Sequence, residues 1–361
     1  MAARPHRNPM RIVRAVFLAL GLASVGYLIA FTGVETLLTP IRTLSWRAAV
    51  CIVFPYTCVA VLRTLAWRLA FPHTRVPFSR LFSVRLAGEA LNFGTASIGG
   101  EPVKAYLLRP SVSLVEASTA QLVDKTSITV AQVLFLALGL AVAGPLFDLP
   151  PDFGRAMGAL LALQILAVGG FVLMQRVGIL GRGLRLLQWV GVRHGGPHAE
   201  GLISVDRALA ASYSRRPGAV VSCVSIHLLG WIVGSLEVYL VLMWLGVSTS
   251  FASALVIDAF GTGVKFMAFA VPGALGVLEG GYMLAFSAVG LGSGLGLSFT
   301  LVRRLRMVVW SALGLVVLAV LRSSAGRPLD QDLARRSAVA PRDRDDPEQG
   351  RRHDDAVLPR R

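Results

Sequence analysis

Charge is scarce in this chain. Asp, Glu, Lys and Arg supply 16% of its 361 residues, where a soluble domain carries about 25%. Lysine is scarcer still: of 36 basic residues, only Lys104, Lys125 and Lys265 are lysines. Cysteine is limited to Cys51, Cys58 and Cys223, all inside apolar runs. That excludes a secreted disulfide framework and leaves them as small buried residues. No Gly-x-x-x-x-Gly-Lys-Ser/Thr loop is present, which excludes ATP hydrolysis by that route, and there is no His-Glu-x-x-His zinc helix. Asp-x-Asp appears only in the polar C-terminal stretch, as at 343–345, a poor setting for a metal-dependent glycosyltransferase site. His194-Gly-Gly-Pro-His198 could pass for a metal pair, but in a basic loop without cysteine it reads as a turn. No cofactor and no metal are expected.

What is abundant is apolar sequence, at 54% of residues and a mean hydropathy of +0.64. Charge-free runs occur at Ala15 to Val34, Thr126 to Phe147, Ala156 to Gln175, Pro217 to Leu236, Val238 to Ile257 and Gly280 to Val302. Each meets the length of about 20 residues that a bilayer crossing needs. Two shorter runs, Ala48 to Leu62 and Met307 to Leu321, read as spans whose ends carry snorkelling arginines. The first run is full length and lacks a clear small-residue cleavage site, so it reads as a span and not as a cleaved signal. The sequence therefore predicts an all-α polytopic membrane protein with about six to eight transmembrane helices. Its expected parts are an N-terminal segment 1–10, a membrane domain 11–322 with a cytoplasmic loop 176–216, and a disordered cytoplasmic tail 323–361.

The net charge of +16 follows this topology. Arginines crowd residues 1–14, 63–85 and 176–216, whereas Pro145 to Pro151 carries only Asp148. By the positive-inside rule both termini lie in the cytoplasm, and the expected location is the cell (inner) membrane. Gly178 to Trp189 could lie on the membrane surface as an amphipathic helix. No basic stripe with interleaved aromatics occurs, so nucleic acid is not expected as a partner.

Two segments break the pattern. Ser83 to Arg109 places Glu89, Asn92, Glu101 and Lys104 among apolar residues, with Gly99-Gly100 and Pro102 interrupting any continuous helix. Ala254 to Leu284 places Asp258, Thr262 and Lys265 at i, i+4 and i+7 on one helix face, then breaks near Pro272-Gly273 and resumes around Glu279. A charge in lipid costs roughly 2.5 to 3.5 kcal/mol, so such groups face protein or water and mark a functional site. Of the 20 acids, eight lie beyond Leu321. Six of the remaining 12 fall in or beside membrane segments: Glu89, Glu101, Asp124, Glu237, Asp258 and Glu279. Paired Gly/Pro-interrupted segments point to a midplane transport site, here two opposed re-entrant hairpins, although full crossings by 253–271 and 273–292 are also open.

Each group also has a plainer reading. Glu101 and Lys104 could be a self-neutralising helix pair. Asp124-Lys125 begins a span, where a structural role is as natural as a functional one. Glu237, between two charge-free runs, reads as a loop residue near the outer interface. Gly230 and Gly234 have small-xxx-small spacing that suits helix packing. Arg303, Arg304 and Arg306 sit awkwardly at the outer end of the last span.

Ser97-Ile-Gly-Gly-Glu-Pro-Val-Lys-Ala-Tyr-Leu-Leu108, preceded by Glu89 and Asn92, and Val271-Pro-Gly-Ala-Leu-Gly-Val-Leu-Glu-Gly-Gly-Tyr282 carry a family resemblance. They resemble the flippase-like family that includes the transmembrane region of lysylphosphatidylglycerol synthases. The second motif is similar to its hopanoid-biosynthesis-associated subgroup. The resemblance spans the first run to Leu321. It implies a lipid translocase built around two re-entrant hairpins, with Glu89, Asn92, Glu101, Lys104 and Glu279 on the family's polar motifs.

The bifunctional relatives carry a soluble aminoacyl-transferase domain after the membrane region. Here about 40 polar residues follow, too few for a domain, so lipid aminoacylation by this chain alone is not expected.

The expected function is translocation or trafficking of a membrane lipid (phospholipid, isoprenoid-linked lipid or hopanoid) through a polar cavity. Half-helix N-termini, with Lys104 and Lys265, would attract an anionic headgroup. The candidate site comprises Glu89, Asn92, Gly99, Gly100, Glu101, Lys104, Asp124, Lys125, Asp258, Thr262, Lys265 and Glu279. The alternative is a membrane-embedded lipid-modifying transferase using Glu89 or Glu101 as general base. Membrane lipids are the expected partners, with lipid-biosynthesis enzymes beside them. The oligomeric state is not fixed by the sequence.

Overall fold

A computed structural model describes residues 22–23, 26–27, 29–30, 32–92, 100–178, 197–268, 271 and 274–324. Among these there are helices and turns but no strands. In chain order the helices are α1 (Val34–Leu44), α2 (Trp46–Leu69), α3 (Phe78–Asn92), α4 (Gly100–Leu107), α5 (Leu114–Leu146) and α6 (Pro151–Val177). They continue with α7 (Pro197–Arg215), α8 (Pro217–Trp244), α9 (Phe251–Met267), α10 (Val277–Ala288) and α11 (Ser293–Ser324). Five of the described helices, α2, α5, α6, α8 and α11, are long and apolar enough to cross a membrane. The chain is an all-α polytopic membrane protein. Most of Ala15 to Val34, all of Gly99, the surface helix expected at 178–189 beyond Gly178, and the tail beyond Ser324 lie outside the described residues.

Local sequence sets the helix ends. Ser113 caps α5 by accepting from the Glu116 N–H at 3.2 Å, and Ser250 caps α9 by accepting from Ser253 at 3.1 Å. Prolines open α6 and α8, where the missing N–H costs nothing, and Gly178 closes α6 at φ 75°. Two expected spans are overturned by the same chemistry. Val238 to Ile257 is not one helix, because α8 ends at Trp244, Gly246 turns at φ 78°, and α9 starts at Phe251. Gly280 to Val302 is divided by Gly290 and Gly292, both at φ 80°, and the crossing helix instead starts at Ser293 and runs through Arg303, Arg304 and Arg306. Freedom from charge measures apolarity, whereas helix length is set by the backbone breaks.

Helix α8 packs on α2, α5 and α9, and α9 packs in turn on α5 and α10. Gly230 and Gly234 let α8 approach α2 at Leu62 and Val59, which fits their small-xxx-small spacing. Gly139 of α5 meets Ala259 of α9 at a separation that leaves no room for a larger residue. The packed body runs to Ala319, and a second unit begins at Val320.

The core is largely apolar, but several charges are buried in it and many large apolar side chains are exposed. Glu237 is 0% exposed, Asp258 and Arg304 1%, and Lys104 2%, while Leu166 on α6 is 74% exposed and Val221 on α8 63%. Charged side chains are almost never fully buried in soluble proteins unless paired. Exposed apolar side chains such as Val53, Phe54, Ile165, Leu173 and Val316, with the charges paired inside an otherwise apolar core, are what lipid solvation selects.

Candidate functional site

The first ionic network forms where α3, α4 and α5 meet. Glu89 and Asn92 sit in the last turn of α3, and Gly100 and Glu101 open α4. The Lys104 ammonium donates to Glu89 Oε1 at 2.8 Å and to Glu101 Oε1 at 3.3 Å. Glu101 also accepts from Asn92 at 3.3 Å, from the Gln121 amide, and from Lys125 at 3.4 Å. The N–H of Gly100 donates to Asn92 Oδ1 at 2.8 Å. Asn92 therefore caps the second half-helix, and the first N–H of α4 is already occupied.

Close packing holds this arrangement. A Cβ on Gly88 would fall 2.4 Å from the Lys104 stem, and one on Gly100 would fall 2.1 Å from the Gly88 carbonyl oxygen. Only glycine permits the two halves to approach so closely. One turn before Glu89, Arg85 donates to Asp124 at 2.8 Å and to the Arg63 carbonyl at 2.9 Å, while His227 Nε2 stands 3.0 Å from Asp124. Adjacent in sequence, Asp124 and Lys125 diverge. Asp124 faces the buried Arg85 and His227, and the half-exposed Lys125 faces Glu101.

The second network joins α8, α9, α10 and α11. Arg303 donates to Glu237 at 3.0 Å, to Asp258 at 2.6 Å and to the Tyr282 hydroxyl, which itself donates to Asp258 at 2.9 Å. Arg306 donates to Glu237, and Arg304 donates to Glu279 at 2.8 Å. Arg304 also reaches the carbonyl of Ala274, which holds φ 50° just before α10. The close approach is again made by glycine: a Cβ on Gly261 would strike the Tyr282 ring at 2.2 Å, and one on Gly281 would meet Val264 at 2.8 Å.

Of the expected site residues, Glu89, Asn92, Gly100, Glu101, Lys104 and Lys125 come together in the first network, with Asp124 beside them through Arg85. Asp258 and Glu279 belong to the second. Thr262 is buried, with its hydroxyl on the Ala259 carbonyl and its own carbonyl accepting from Gln132, apart from both ionic networks. Lys265 does not share the burial of Asp258 and Thr262. It is exposed and has no ion pair among the described residues. Val264 beside it packs against Gly281 and Ala268 one turn on is buried, so α9 stays packed here and it is the face carrying Asp258 and Thr262 that opens at Lys265.

The sequence missed Glu237, Arg303, Arg304, Arg306, Arg85, Gln121 and His227. Glu237 is no loop residue: it lies inside α8 and is fully buried. The three arginines are not at an outer rim. They are the counter-ions of the three acids, and the one signal for this was the equality of number.

An all-helical body with many exposed apolar side chains and two glycine-closed ionic networks inside defines a polytopic integral membrane protein. The chain belongs to the family of the lysylphosphatidylglycerol synthase TM region, whose model matches residues 15–321. A UPF0104 membrane protein of Methanothermobacter thermautotrophicus is 24% identical over 334 residues, covering 87% of this chain and 97% of the relative. No solved structure matches the chain. Family membership ties the protein to membrane lipid.

Proposed function

We propose that this protein translocates or traffics a membrane lipid, the headgroup crossing a polar interior at the two interrupted segments while its hydrocarbon chains stay in the bilayer. The observation that carries this reading is the matched construction of the two segments. In each, an acid on the first half-helix (Glu89, Asp258) is engaged by a side chain on the second (Lys104, Tyr282). In each, an acid in the first turn of the second half (Glu101, Glu279) reaches a cation on the next long helix (Lys125, Arg304). At 1.5 Å per residue, α9 spans about 26 Å and α10 about 18 Å, short of a bilayer core of about 30 Å. We read both pairs as re-entrant hairpins that meet near the midplane.

The protein acts on this reading as a transporter and not as an enzyme. It sits in the cytoplasmic membrane with both termini inside, beside the enzymes that make its lipid. A transferase would need a carboxylate free to take a proton, and Glu89 and Glu101 are both held by Lys104, which weighs against either as general base. Purified protein in liposomes distinguishes the two activities. A leaflet-specific quenching assay should show protein-dependent movement of labelled lipid that is recovered chemically unchanged. A new lipid product would overturn the reading.

A further inference from the structure

The charge ledger of the two networks and the cations beside them does not close. Among the described residues, eight cations lie in or against the two networks: Arg63, Arg85, Lys104, Lys125, Lys265, Arg303, Arg304 and Arg306. They face six acids, Glu89, Glu101, Asp124, Glu237, Asp258 and Glu279, all of which are paired. The remaining six acids of the body lie outside the two networks, and the eight others follow Leu321. Residues 93–99, 269–270 and 272–273, outside the described set, contain no acid. Two positive charges are therefore left over, and the residues without a carboxylate are Arg63 and Lys265.

These two converge. Helix α9 runs antiparallel along α5, Ala259 lying against Gly139 and the Thr262 carbonyl accepting from Gln132 at 2.8 Å, so Lys265, one turn further on, comes level with Ile128, whose carbonyl accepts from Trp231 at 3.3 Å, and Arg63 lies over that same Trp231 ring. The guanidinium of Arg63 lies 4.8 Å from the centroid of the Trp231 ring, and that of Arg306 lies 5.0 Å from that of Tyr56. A stacked guanidinium keeps its in-plane N–H groups available, which suits the oxygens of a phosphate. Lys265 is exposed and Arg63 half-buried, so both are open to an incoming group. Lys104, by contrast, is saturated by Glu89 and Glu101.

Building on the transport reading, we propose that Arg63, Lys265 and Arg306 form the headgroup subsite and that it takes a lipid phosphate of about two negative charges, a phosphomonoester in preference to a zwitterion. Such a charge balances the surplus and removes the cost of two uncompensated cations at membrane depth. Zwitterionic headgroups carry an ammonium that would confront Lys265.

The test is native mass spectrometry of the full chain in nanodiscs of phosphatidylcholine doped with phosphatidic acid. Phosphatidic acid should be retained about tenfold over phosphatidylcholine at equal abundance. Lys265→Met and Arg63→Met should each erase most of that preference, and Arg207→Met on α7 should not. Since Lys265 is exposed and has no ion pair among the described residues, its variant should fold even if Arg63→Met does not. Equal retention of the two lipids, or an unchanged preference in Lys265→Met, overturns the subsite.

Inorganic phosphate and short-chain phosphatidic acid are then compared as competitors. The lipid should compete at the lower concentration, and equal competition would overturn the lipid assignment in favour of a free anion. If the preference holds but no lipid moves in liposomes, the transport reading fails and the subsite stands. If lipid moves without preference, the subsite fails and transport stands.

Discussion

Lys104 holds two carboxylates at once, and among the described residues no other cation shares Glu89 at comparable distance, since Arg85 stands 4.0 Å away. Lys104→Met should therefore be the most damaging single neutralisation in the first network. Removing one partner of a buried pair costs about 3 to 5 kcal/mol. Glu101→Gln should cost less, because Lys104 keeps Glu89 and the half-exposed Lys125 can turn to water. Adding Glu89→Gln to Lys104→Met should recover much of the lost stability. Thermal unfolding of the detergent-solubilised protein, followed by size exclusion, would show these changes as shifts in midpoint. A Lys104→Met protein that melts with the wild type would mean that the network does not hold the hairpin together.

Glycine contacts decide whether the half-helices can close. Gly100→Ala and Gly261→Ala place a methyl against backbone or an aromatic ring, which cannot give way cheaply, whereas Gly88→Ala meets only the flexible Lys104 stem. The first two should abolish monodisperse protein and the third should reduce it. Gly280→Ala, with nothing within 4 Å, should be neutral or stabilise by up to about 1 kcal/mol. Fluorescence-detected gel filtration of the four variants ranks them, and a damaging Gly280→Ala would contradict the packing described.

The same elements explain what the sequence could and could not tell. Glu89, Glu101, Lys104, Asp258 and Glu279 were legible because a charge among apolar residues stands out wherever it occurs. Glu101 and Lys104 could even be read as a pair, but the partners of Asp124, Glu237, Asp258 and Glu279 could not, because Glu237 to Arg303 spans 66 residues and Asp124 to His227 spans 103, distances that only tertiary packing closes. Taking a charge as the edge of a span then displaced Arg303, Arg304 and Arg306 to a rim, when pairing had made them suitable for the middle of α11.

At the scale of the whole molecule, the arginine distribution predicts that Arg75, Arg193 and the tail face the cytoplasm and Asp148 faces out. Single cysteines at these positions, treated in intact cells with an impermeant maleimide, should react from outside only at 148. Labelling at 193 would invert the arrangement. Deleting 326–361 should leave insertion and lipid movement intact, because the packed unit ends at Ala319 and the family match at 321. Loss of folded protein on that deletion would assign the tail a structural role.

The position of Arg303, Arg304 and Arg306 on the last helix has a consequence for biogenesis. Ribosomes deliver α8, α9 and α10 before α11, so Glu237, Asp258 and Glu279 emerge before any of the cations that neutralise them. Until then each acid carries the insertion cost of roughly 2.5 to 3.5 kcal/mol. The C-terminal half must wait at the translocon or interface for its final 32-residue helix, and a chain stopped at residue 292 should be a substrate for membrane proteases.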